Sequence, residues 1–116
     1  GVGVRWALDE AEKQSANGVN IEVIDLRTIV PWDHESALAS IRKTNRLIVL
    51  HEAARTAGFG AEIAAEVTEV VWEHLDAPPI RVAAETIPVP FSESLEDEIY
   101  SAKGRLPAAI RRVLAY

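Results

Sequence analysis

The chain has 116 residues, a net charge of −6, 48% hydrophobic residues and no cysteine. That length suits one domain, and that apolar fraction suits a packed core rather than a disordered tail. The missing cysteines exclude disulfides and thiolate metal sites, and the acidic balance argues against a nucleic-acid binder, which needs a basic face.

No apolar run approaches the ~20 residues of a membrane helix, and no basic stretch followed by an apolar one marks a signal peptide. The expected location is the cytoplasm or, in a eukaryote, the mitochondrial matrix. The opening Gly1-Val2-Gly3-Val4 passes straight into a helical pattern. This reads as a fragment of a longer chain, with a first strand expected before Gly1.

Val4, Ala7, Leu8 and Ala11 recur at helical spacing, and Asn17-Gly18 ends this helix because Gly tolerates the left-handed backbone of a C-cap. Val19 to Leu26 begins with alternation and ends nearly continuous, the pattern of a strand buried on at least one face. Pro31 stops it. Asp33 is a good N-cap for a helix with Ala37, Leu38 and Ile41 on one stripe. Glu35 in its first turn, and Arg42 and Lys43 in its last, suit the helix dipole.

Leu47 to Leu50 is a second, fully apolar strand. Gly58-Phe59-Gly60 opens a long helix through about Leu75, with Ile63, Ala64, Val67, Val70, Val71 and Leu75 facing inward. Pro78-Pro79 ends it, and Ile80, Val82 and Ala84 form a third strand. Ile87 to Phe91 carries two prolines, which donate no ladder bonds, so it reads as an extended arm. Leu95 to Tyr100 is a candidate helical turn. Pro107 suits the first turn of a last helix with Ile110, Val113 and Leu114 inward. Helices alternating with strands predict an α/β fold: a three-layer αβα domain over residues 1–116 with a mostly parallel sheet.

Ligands of open parallel sheets bind beyond the carboxyl ends of the strands. Here those ends are Arg27-Thr28, His51-Glu52 with Arg55 and Thr56 behind, and Glu85-Thr86. His51-Glu52 resembles an acid–base pair, but neighbours on a strand point to opposite faces. A structural role, with His51 bonded to a nearby loop, is the simpler expectation. Gly58-Phe59-Gly60 before a helix is a candidate phosphate turn, and with Arg27 and Arg55 it makes a candidate anion edge. It lacks the third glycine and the acidic ribose partner of the dinucleotide fingerprint. The plainer reading has the glycines permitting a sharp turn and close helix–sheet packing, with Phe59 as an anchor. His34, His51 and His74 are too scattered for a metal set, and no serine sits in a nucleophile elbow. Among Trp6, Trp32 and Trp72, Trp32 is the candidate partner-facing residue, since large aromatics favour interfaces. The plainer reading has all three closing the edges of the core.

Several segments, taken in order, are similar to a known family. Val23-Ile24-Asp25-Leu26-Arg27-Thr28-Ile29-Val30-Pro31-Trp32-Asp33 resembles a signature of the beta subunits of thiamine-diphosphate-dependent 2-oxoacid dehydrogenases. Asn45-Arg46-Leu47, His51-Glu52-Ala53, Ala57 to Ile63, Leu75-Asp76-Ala77-Pro78, Arg81-Val82 and Thr86-Ile87-Pro88-Val89-Pro90 resemble that family's later segments. Ala57 departs from it, standing where the family usually has Gly.

The resemblance implies the transketolase C-terminal-type domain of such a subunit. The parent would decarboxylate a 2-oxoacid (branched-chain preferred, pyruvate next) on thiamine diphosphate with magnesium. It would then pass the acyl group to the lipoyl arm of a dihydrolipoyl acyltransferase. The resemblance places the cofactor and the catalytic residues in other domains, and expects none on this fragment. It gives this domain a subunit interface, with Trp32 and Phe59 as candidates, in a homodimer or heterotetramer with alpha-type and beta-type domains. It also makes Asp76 and the Tyr116 carboxylate candidate acceptors for the acyltransferase's basic docking domain. No nucleic-acid or membrane partner is expected. The alternative is an anion- or nucleotide-binding regulatory module using Arg27, Arg55, Gly58 and Gly60.

Overall fold

The computed structural model describes residues 2–84 and 102–116. The chain runs α1 (Val2–Ser15), α2 (His34–Thr44), β1 (Ile48–Ala54), α3 (Phe59–Val71), a 3-10 turn (Trp72–His74), β2 (Ile80–Ala84) and α4 (Ala102–Leu114). The strands β1 and β2 pair in parallel, with Ile48 opposite Ile80 and Leu50 opposite Val82.

Strand alternation divides the core into two layers. Ile80 and Val82 are buried on one face with Leu106, Ala109, Ile110 and Val113 of α4, and Ile48, Leu50 and Trp6 pack against them. Val49 points to the opposite face, where it meets Ile41 of α2 and Ile63, Val67 and Val71 of α3. Helices therefore cover both faces, as the alternating pattern predicts. Val67 and Val71 are fully buried, each contributing about 1.5–3 kcal/mol by removal of apolar surface from water.

Val19 to Leu26, expected as the first strand, is not one. Its burial still alternates: Val19, Ile21 and Val23 are half-buried, and Asn20, Glu22 and Ile24 are exposed. Ile21 packs against the α1/α4 layer and Leu26 against the α2/α3 layer. The segment thus touches both core layers, but among the described residues it has no neighbour that supplies a ladder. A strand requires its partner's hydrogen bonds as well as its own pattern.

The helices also differ from the simplest periodic reading. Val4, Ala7 and Ala11 are half-buried as expected, but Leu8 is 54% exposed, and Trp6, Glu10 (9% exposed) and Gln14 join the inward side. Gln14 Nε2 donates to Glu10 Oε1 at 2.9 Å, which satisfies part of the carboxyl's hydrogen-bonding need at a buried position. Val70 and Leu114, expected inward, are exposed. The α-helix of α3 stops at Val71 and tightens into the 3-10 turn, yet Leu75 still packs against the α2/α3 layer, as expected. Pro107 lies inside α4 rather than in its first turn. The cost of its missing N–H is met by burial of Ala102, Leu106, Ala109, Ile110 and Val113 along one face. The expected arm at 87–91 and turn at 95–100 lie outside the described residues.

Candidate functional site

At the carboxyl end of β1 the register breaks. Leu50 is opposite Val82 and Ala54 opposite Ala84, so four steps of β1 match two of β2. The surplus residues, His51 to Ala53, form an irregular bulge, a device that re-aims side chains. His51 enters the seam below the amino end of α3. A Cβ built on Gly60 would stand 2.6 Å from its Nε2, and one on Gly58 would stand 2.8 Å from its Cε1 and collide with the Ala54 carbonyl oxygen. Both glycines are required by close approach. The expected hydrogen bond from His51 to a loop is not formed: both ring nitrogens are buried without a partner among the described residues. Glu52 is exposed, and it makes no acid–base pair with His51 there.

Of the candidate anion edge, Arg55 and Gly58 share one turn, where the Gly58 N–H donates to the Arg55 carbonyl at 3.4 Å. The side-chain sides of Gly58 and Gly60 face His51 and backbone. Arg27 lies on the loop before α2 at φ 60°. Its backbone N–H donates to Asp25 Oδ1 at 3.1 Å, and its Nε is 3.9 Å from Asp25 Oδ2. Arg55 belongs to the β1–α3 turn, where its N–H donates to the Ala84 carbonyl and its own carbonyl accepts from Arg81 Nη1 at 3.1 Å. Glu85 and Thr86 lie outside the described residues.

A second cluster gathers the two docking candidates. Asn45 takes the left-handed conformation that ends α2, at φ 65°, and its N–H bonds the Ile41 carbonyl. Its side-chain amide donates to the His74 carbonyl at 2.8 Å, and its own carbonyl accepts from the Asp76 N–H at 2.8 Å. Arg46 follows. Its Nε donates to the Val113 carbonyl at 3.0 Å, Nη2 reaches the Tyr116 carbonyl oxygen at 3.5 Å, and Nη1 is 3.7 Å from Asp76 Oδ2. Asp76 and Tyr116, 40 positions apart in sequence, are thus drawn to one surface edge by a single guanidinium. Its rigid fork of donors suits such bridging. Sequence reading missed Arg46 and Asn45. A helix-terminal Asn signals a left-handed cap, but no local signal shows that Arg46 reaches the end of α4.

The tryptophans divide unexpectedly. Trp32 is 6% exposed and belongs to the α2/α3 core. Its ring lies 3.8 Å from that of His34, whose Nε2 is 2.6 Å from Glu66 Oε2. Within this chain Trp32 is a core residue, because the turn at Pro31 directs it under α2. Phe59 is half-buried against the same cluster. Trp72, at 70% exposed, is the outward aromatic.

Two carboxyls have displaced ionisation. The Ser36 side chain and backbone N–H bond Asp33 and hold its carboxyl below the ordinary value. The Lys43 ammonium, 2.6 Å from Glu22 Oε2, does the same there. Neither lies in a cleft. Among the described residues no three His, Asp or Glu converge to hold a metal.

Two parallel strands between helix pairs define a three-layer α/β domain. The chain belongs to the family "Transketolase, C-terminal domain", whose model matches residues 1–105. It is 46% identical over 93 residues to the pyruvate dehydrogenase E1 component subunit beta-1, mitochondrial, of Oryza sativa subsp. japonica, covering 80% of this chain and 25% of that protein. It is 42% identical over 99 residues to the 2-oxoisovalerate dehydrogenase subunit beta 2, mitochondrial, of Arabidopsis thaliana, covering 85% and 27%. The pyruvate dehydrogenase E1 component subunit beta of Rhizobium meliloti (strain 1021) is 36% identical over 96 residues, covering 83% and 21%. The chain spans about a fifth to a third of the length of such relatives.

Proposed function

We propose that this chain serves as the assembly and docking domain of the beta part of a thiamine-diphosphate-dependent 2-oxoacid dehydrogenase, with no active site of its own. The observation that carries the reading is the patch in which Arg46 draws Asp76 and Tyr116 together. It lies within a chain whose relatives are beta subunits of pyruvate and 2-oxoisovalerate dehydrogenases.

In this reading an alpha-type partner completes the enzyme as a homodimer of fused chains or a heterotetramer. The acidic face of Asp76, with the end of α4 beside it, receives the basic docking domain of a dihydrolipoyl acyltransferase. Charge-assisted pairing of this kind sets encounter and orientation more than raw affinity. A branched-chain 2-oxoacid is the first substrate to test and pyruvate the second. The relatives include bacterial and mitochondrial proteins, in keeping with a cytoplasmic or matrix setting. No helix among the described residues is long and apolar enough to cross a membrane.

Thiamine diphosphate with magnesium requires converging oxygen donors. Among the described residues no group of three or more His, Asp or Glu gathers that could hold the metal, and no step through that group is assigned to this chain.

The full polypeptide carrying this domain, purified with its alpha-type partner, should decarboxylate 2-oxoisovalerate or pyruvate only with thiamine diphosphate and magnesium. The 116-residue chain alone should do neither the chemistry nor the cofactor binding; turnover by it overturns the reading. Asp76→Lys in the assembled enzyme should weaken acyltransferase binding, and unchanged affinity removes the docking role.

A further inference from the structure

Helix α3 and the 3-10 turn present an outward face that the packing described above does not use. Glu62, Glu66 and Glu69 fall at steps of four and three residues on α3, which places them in one row, and exposed Glu73 follows in the 3-10 turn. The buried residues Ile63, Val67 and Val71 occupy the opposite side. Between Arg55 and Arg81 the chain has no lysine or arginine. Glu66 is taken by His34. Among the described residues Glu62, Glu69 and Glu73 are in no ion pair.

Beside this row runs an open groove lined by Ala64, Ala65, Thr68, Glu69, Trp72 and Pro79. Trp72 is its one large side chain and is 70% exposed. Ala65 and Trp72 line the same groove, beside Glu69. The Thr68 hydroxyl donates to the Ala64 carbonyl at 2.7 Å, which leaves the groove wall free of an unmet donor. This indole, beside small residues and a proline, belongs to neither core cluster and leaves most of its apolar surface in water. Such residues are enriched among the anchors of protein interfaces.

We propose that the groove of Ala65, Trp72 and Pro79 docks a basic amphipathic segment of a partner polypeptide. The partner seats an aliphatic or aromatic side chain on the Trp72 indole and lays lysines or arginines along Glu62, Glu69 and Glu73. Charge selects this occupant. A second copy of this chain would bring another glutamate row against the first, and like charges across an interface are unfavourable. The groove rests on different residues from the Asp76–Tyr116 patch, and on no assumption about the parent's reaction.

The test uses the full polypeptide in its assembled form and two labelled synthetic helices with the same leucine pattern. One carries lysines at its polar positions and the other glutamates. Fluorescence anisotropy should show saturable binding of the leucine–lysine helix alone, with Kd raised at least tenfold by Trp72→Ser and again by Glu69→Lys with Glu73→Lys. Both variants alter solvent-facing side chains, and an unchanged circular-dichroism melt confirms that the fold is kept. Equal affinity for wild type and variants, or binding of the leucine–glutamate helix as well as the lysine one, overturns the proposal. So does concentration-dependent self-association abolished by Trp72→Ser, because the occupant is then a second copy. Asp76→Lys is read on a different variant and probe, so the two readings fail separately.

Discussion

Gly60 faces His51 so closely that a methyl group on it would stand 2.6 Å from Nε2 and 2.7 Å from Cδ2 of the ring. The amino end of α3 can approach the β1 bulge only because that position lacks a side chain. The imidazole is pinned from its other end by Gly58, so it has little room to withdraw.

Gly60→Ala should therefore destabilise the chain by about 1–3 kcal/mol, the usual cost of overpacking. In an open helix the same change is favourable by roughly 1 kcal/mol. Combining it with His51→Ala should restore part of the loss, because residues in contact are not additive. Denaturant midpoints of the two single variants and the double variant measure this. A Gly60→Ala protein as stable as wild type contradicts the packing seam.

Ala57 has φ 56°, in the left-handed region, where a Cβ costs roughly 1–2 kcal/mol. Ala57→Gly relieves that strain and gives back about 0.4–1 kcal/mol through the more flexible unfolded chain. The expected net gain is roughly 0.5 kcal/mol, read as a small rise in Tm. A fall in Tm shows that the turn does not hold this conformation.

Arg46 bonds the Val113 carbonyl and pairs with Asp76. Arg46→Met keeps the aliphatic stem and removes these bonds. Hydrogen bonds of charged groups are worth about 1.5–3 kcal/mol, and the 31% exposure of this side chain places the loss near the lower figure. Hydrogen exchange should accelerate selectively in the last turn of α4. Uniform acceleration across the chain argues against a local staple.

Asp33 caps α2 through Ser36, and its carboxyl ionises below the ordinary value for that reason. A depressed folded-state value means stability that is present above the unfolded value, about pH 3.9, and is lost as pH falls through the lower folded one. Asp33→Ala should lower Tm at neutral pH, and the gap to wild type should narrow from about pH 4 downward. Asp33→Ser, which caps without a charge, should keep more of the stability and remove that pH dependence. A gap constant from pH 7 to pH 2.5 excludes the charged cap.

Much of the architecture was legible from local pattern. Asp33 and the stripe of Ala37 and Ile41 marked α2, Leu47 to Leu50 overlaps β1, and Pro78-Pro79 marked the entry to β2. These features act over a few residues, through backbone conformations and apolar faces that each segment carries by itself. The ordered family segments went further than periodicity, since each can be read without knowing what it touches. The same information misled at Val19 to Leu26 and at Trp32. Pattern reports a preference for burial but not whether a ladder partner or a cavity is present.

By itself, the amino-acid order determined the helices, the two strands β1 and β2 and the family, but not the absence of a strand between α1 and α2. Only the tertiary structure decided that His51 wedges against two glycines, that Arg46 joins Asp76 to the end of α4, and that Trp72 rather than Trp32 faces outward. The division has a physical reason: caps, turns and stripes are short-range properties of the chain. Which distant side chains meet depends on how the helices seat on the two faces of one sheet.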